Sequence, residues 1–73
     1  MRLELKKIYK VVDKFNDRRF YVQVIEELSN WEYDYNTYKC KILCQGNFHG
    51  QSLILVTEMW TITEASELEI ALL

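Results

Sequence analysis

Phe20-Tyr21-Val22-Gln23-Val24-Ile25 is the stretch that decides the fold. It is built from β-branched and aromatic residues, which fit a pleated, half-buried surface better than a helix. Phe20, Val22 and Val24 fall on one face of an extended chain and Tyr21, Gln23 and Ile25 on the other. Asn16-Asp17 precedes it with turn chemistry, and Ser29-Asn30 follows as the next breaker. A strand is expected here, bounded on both sides.

The same period of two continues outward from that stretch. Trp31, Tyr33 and Tyr35 alternate with Glu32, Asp34 and Asn36; Tyr38, Cys40, Ile42 and Cys44 alternate with Lys39, Lys41, Leu43 and Gln45. Residues 46–50 form a loop that holds both glycines. Residues 53–62 read as one long strand. The two ends allow two readings. Residues 3–15 suit a strand feeding a hairpin into Phe20, favoured by the β-branched Ile8, Val11 and Val12. They also suit a helix with Leu5, Ile8, Tyr9, Val12 and Phe15 on one face. Residues 67–72 alternate as a strand would, yet Ser66 with Glu69 spells a capping box for a last helical turn. Short connections leave no room for crossover helices, so the strands should be antiparallel. The expectation is an all-β, five-stranded, barrel-like domain of the size of SH3 and OB barrels. An α+β arrangement with a helical N-terminal segment is the alternative. Val22, Val24, Ile42, Leu53, Leu55 and Ile62 are the expected core.

Composition bounds the rest. Seventy-three residues fill one core, so residues 1–73 are read as a single domain. Such a chain buries only about 60% of its unfolded surface, which makes a homodimer a natural expectation. Apolar residues are 49% of the chain and proline is absent, a composition that folds. No apolar run is long enough to span a bilayer, and no apolar segment follows the charged start as in a secretory signal. Two cysteines make no disulfide framework. These features point to the cytoplasm. Residues with AT-rich codons (Phe, Tyr, Met, Ile, Asn, Lys) number 26 against 7 for Gly, Ala, Arg and Pro, which suggests a low-GC genome, bacterial or viral. Residues 1–25 carry a balance of +4 and residues 26–73 one of −6. Early and late strands lying side by side would neutralise each other; otherwise the surface is two-signed.

Residues for catalysis or metal binding are sparse. Cys40, Cys44 and His49 are the nearest approach to a metal motif, but the spacing is wrong for a zinc knuckle and a fourth ligand is missing. On one strand, the two cysteine Cα atoms would stand about 13 Å apart, too far for a shared zinc or a disulfide. His49 is the only histidine and sits in the glycine-bounded loop, with no marked nucleophile to serve. Gly46 and Gly50 alone make no phosphate-cradling loop. No enzyme, metal or cofactor is expected.

The most informative segment is the aromatic run Trp31, Tyr33, Tyr35 and Tyr38 with the acidic Glu32 and Asp34. Pointing inward, these rings are core. Pointing outward, they form a rigid amphipathic strip suited to a protein partner. Tyr33-Asp34-Tyr35 is similar to the tyrosine-rich ligand strip of SH3 domains, but over three residues and mid-chain, so it assigns no family. The rival site is basic: Lys6, Lys10, Lys14, Arg18 and Arg19, with Tyr9 or Tyr21 to stack on bases. An acidic pI near 5.3 weighs against it. The expected function is a small non-enzymatic protein-binding module, a regulator or inhibitor from a phage, prophage or low-GC bacterium. A nucleic-acid-binding small barrel is the alternative.

Overall fold

A computed structural model describes residues 2–28, 37–43 and 47–73. Five strands, β1 Ile8–Asp13, β2 Arg19–Glu27, β3 Thr37–Leu43, β4 Ser52–Val56 and β5 Trp60–Glu64, form one antiparallel sheet of order β4-β3-β2-β1-β5. A 3-10 turn, Thr57–Met59, joins β4 to β5, and a short helix α1, Glu67–Ala71, follows β5. The all-β expectation holds.

That joint forces the sheet to roll. Laid flat, β4 and β5 would be opposite edges, about 19 Å apart at roughly 4.8 Å per strand spacing. They would also be offset along the sheet. Val56 lies opposite Thr37, which bonds Leu28 beyond the far end of β2, whereas Trp60 lies opposite Asp13 near its start. Yet the chain from Val56 to Trp60 can reach only about 14 Å. Strong twist and curl must bring these corners together.

The inner face of the roll carries the core. Leu3, Tyr9, Val11, Val22, Val24, Tyr38, Cys40, Ile42 and Leu55 are buried. Phe20, Leu53, Trp60 and Ile62 pack against them half-buried. The rings of Phe20 and Trp60 meet at 6.1 Å in a tilted pair. Register follows the side-chain period: Tyr9 opposes Val22, Val22 opposes Ile42, Val24 opposes Cys40, and Tyr38 opposes Leu55. Ile25 sits at a register shift between Val24 and Glu26 and is left exposed. All six expected core positions face this interior, four buried and two half-buried.

Both ambiguous ends resolve. Residues 8–13 are strand, because period-two placement buries Tyr9, Val11 and Asp13 together. Asp13 closes the hairpin: its carboxylate accepts from the amides of Phe15 (2.8 Å) and Asn16 (3.2 Å) and from Arg18 (3.2 Å). Asp17 takes the left-handed conformation at φ 57 that the turn needs. Residues 67–71 are helical, since Ser66 and Glu69 complete the capping box in both directions. The single long strand expected over residues 53–62 does not form. Thr57–Met59 break it into two strands that pair at opposite edges, because β5 gains the ladder with β1 only by leaving the line of β4.

The two charged halves meet as side-by-side strands. β1 and β5 pair, and Lys7 reaches Glu64 at 2.5 Å; Arg2 lies 3.6 Å from Glu27. Among the described residues no helix is long and apolar enough to cross a membrane.

Candidate protein-binding edge

The backbone phase of the β3–β4 ladder fixes which peptide groups β4 leaves open. Ile42 N–H donates to Gln51 O at 2.8 Å, so residues 51, 53 and 55 turn their peptide groups toward β3. Ser52 and Ile54 then point theirs away, out of the sheet edge. Residues 52–56 read Ser-Leu-Ile-Leu-Val, with no charge, no proline and no bulge, the devices that usually blunt an edge. Ile54 leaves 54% of its surface exposed on the outer face, while its neighbour Leu55 is fully buried on the inner one. Met59 in the adjoining 3-10 turn is half exposed as well.

The other edge differs in chemistry. Ala65 N–H donates to Ile8 O and Lys14 N–H to Met59 O, both at 3.2 Å, which leaves Trp60, Ile62 and Glu64 with outward peptide groups. Glu64 places a carboxylate on that edge and holds Lys7. Polar Thr61 and Thr63 alternate with the apolar residues. β4 is thus the uncharged edge of the sheet.

Trp31, Glu32, Tyr33, Asp34 and Tyr35 lie outside the described residues. The residues flanking that segment are tied by Leu28 N–H donating to Thr37 O at 2.7 Å, and Thr37 stands opposite Val56 of β4. Tyr38, expected in the strip, is a correction. It is fully buried opposite Leu55, and its hydroxyl accepts from Leu3 N–H at 3.1 Å. One hydrogen bond satisfies the phenol, so the ring can fill the core.

Of the basic residues of the rival site, only Lys10 and Arg19 come together. Arg18 is engaged with Asp13 inside the β1–β2 turn, and Lys14 lies in the same turn. Lys6 sits beyond the other end of β1, in a left-handed conformation at φ 67. Lys10 and Arg19 occupy the outer face of β1 and β2. Of the possible stacking rings, Tyr9 is buried in the core with its hydroxyl accepting from Glu4 N–H. Tyr21 donates to the Glu69 carboxylate, which holds that carboxyl below its usual range, with Lys10 adding to the effect, and pushes the Tyr21 phenol up. That hydrogen bond ties helix α1 to the outer face. Sequence reasoning passed over Lys39 and Lys41, which the inward alternation of Tyr38, Cys40 and Ile42 sends to that same face. Their signal was the alternation itself.

No metal centre assembles among the described residues. Cys40 is buried, and burial pushes its thiol up to about 11; Cys44 lies outside the described residues, and His49 is on the exposed turn before β4. The chain matches no family model, no curated protein and no solved structure.

Proposed function

We propose that the protein is a small non-enzymatic protein-binding module that takes its partner along the open edge of β4 and through the aromatic and acidic residues of 31–35. The observation that carries this is Ile54: an exposed apolar side chain in an uncharged edge strand whose peptide groups face outward. An extended partner segment adds there as a further strand, gaining main-chain hydrogen bonds from Ser52 and Ile54 and apolar contact from Ile54. Trp31, Tyr33 and Tyr35, with Glu32 and Asp34, add aromatic and acidic contacts and favour a basic or amphipathic partner. The AT-rich composition supports a phage, prophage or low-GC bacterial regulator or inhibitor. Affinity capture from such a host tests this, with Ile54→Lys and Tyr33→Ala/Tyr35→Ala compared to the wild type. A specific partner lost in the folded variants supports the reading. Capture unchanged in both variants contradicts it.

A second reading has one observation in its favour. On the outer face Lys41 stands opposite Gln23, Lys10 stands opposite Tyr21, and Arg19 lies two residues along β2 from Tyr21, a basic track over three strands. Single-stranded nucleic acid would bind such a track with affinity falling steeply as salt rises. Anisotropy with a labelled oligonucleotide at low salt measures this, and the absence of binding there dismisses it.

A further inference from the structure

We propose that helix α1 is a displaceable strap over the basic track of the outer face, its Glu69 carboxylate holding the place of a phosphate group beside Lys10. This rests on the nucleic-acid reading above and adds how that surface is regulated. The first ground is the way α1 is held. Of its five residues only Glu69 is half-buried; Leu68 and Ile70 are exposed, and no side chain of the helix is buried. Glu69 Oε1 accepts the amide of Ser66 at 3.2 Å and closes the capping box, while Oε2 accepts the Tyr21 hydroxyl. One carboxylate therefore both shapes the helix and docks it. A helix this short is marginal by itself, and no buried apolar side chain fastens it to the sheet. Its hold is polar, and another anion can compete for it.

The second ground is the surface on which Glu69 sits. Tyr21 stands opposite Lys10, and the Lys10 charge helps to hold the Glu69 carboxyl in its ionised form. Arg19 lies two residues from Tyr21 along β2, and on the other side Lys41 stands opposite Gln23. The strap thus occupies the middle of a track whose two ends, Arg19 and Lys41, are exposed. The charge that draws a carboxylate draws a phosphate group as well. Single-stranded nucleic acid that reaches both ends gains the Lys10 charge, and the Tyr21 ring as a stacking surface, by displacing Glu69. With α1 in place, those two side chains are already engaged by the chain's own anion.

Fluorescence anisotropy of the full chain with a labelled oligothymidylate at low salt tests the strap. Tyr21→Phe keeps the ring and the net charge but lets the carboxylate go, and should bind several-fold more tightly than the wild type. Glu69→Ala should do the same. Glu67→Ala, an equal change of charge at an exposed position of the same helix, should gain much less. Lys10→Ala in the Glu69→Ala background should cancel the gain. By NMR, the oligothymidylate should move the Leu68 and Ile70 amide signals of the wild type to the positions they hold in free Tyr21→Phe. A wild type that binds as tightly as Tyr21→Phe and Glu69→Ala overturns the strap and leaves the nucleic-acid reading standing. Equal gains from Glu67→Ala and Glu69→Ala, with none from Tyr21→Phe, reduce the effect to net charge and overturn the strap as well. If none of these proteins binds, the nucleic-acid reading fails and the strap fails with it.

Discussion

The hydroxyl of Tyr38 accepts the amide N–H of Leu3 at 3.1 Å in the interior of the roll, tying the N-terminal segment to the start of β3. A buried donor is satisfied by a side chain from far along the chain, and the phenol that provides it is fully enclosed. Removing only the hydroxyl, in Tyr38→Phe, leaves that amide unpaired and should cost about 1–3 kcal/mol of stability. Tyr38→Ala removes the ring as well and should cost about 3–5 kcal/mol. Urea denaturation followed by fluorescence measures both. A Tyr38→Ala variant of wild-type stability that fails to bind a partner would return Tyr38 to the surface.

Adjacent residues of β4 should behave in opposite ways. Leu55→Ala opens a cavity in the core and should destabilise by about 2–5 kcal/mol. Ile54→Ala, on the exposed side, should cost less than about 1 kcal/mol in the monomer. Equal losses at the two positions would mean that Ile54 is covered from within.

Acid should loosen both the first hairpin and the last helix. Asp13, through the amides of Phe15 and Asn16 and then Arg18, and Glu69, through the Tyr21 hydroxyl and then Ser66, have folded-state pKa values below their ordinary ones. Depressed carboxylates contribute stability that is fully present above the unfolded value near 4, and that stability is lost as pH falls through the folded value. The melting temperature should therefore drop from pH 5 downward, with a smaller drop in Asp13→Asn. Equal slopes for the two proteins would remove Asp13 as a source of acid sensitivity.

Cys40 should resist alkylation in the folded protein. Its thiol, pushed up to about 11 by burial, has almost no thiolate at neutral pH and no access to reagent. In a Cys44→Ser variant, iodoacetamide should label Cys40 slowly in buffer and rapidly in urea. Fast labelling without denaturant would mean that β3 is not enclosed between β2 and β4.

Much of the fold is legible in residues that alternate. Val22 and Val24 announce a buried face because their neighbours Tyr21 and Gln23 can stand in solvent, and Ile42 and Leu55 do the same in β3 and β4. Where the pattern is the same for two outcomes, sequence could not choose. Residues 53–62 keep one unbroken β signal across Thr57–Met59, and only the ladder between β1 and β5 dictates that the chain must turn there. Tyr38 misled for a related reason. A tyrosine in an aromatic run suits surface and core equally, and the deciding fact is a hydrogen-bond donor, Leu3 N–H, thirty-five positions away. The open edge at Ile54 was invisible, since strand order and ladder phase are properties of the assembled sheet.

Amide hydrogen exchange across a dilution series tests the openness of the β4 edge most directly. Ser52 and Ile54 should exchange fast at low concentration, while Leu53 and Leu55, bonded to β3, stay protected. If Ile54 is already protected at the lowest concentration, β4 is not the edge through which this protein binds.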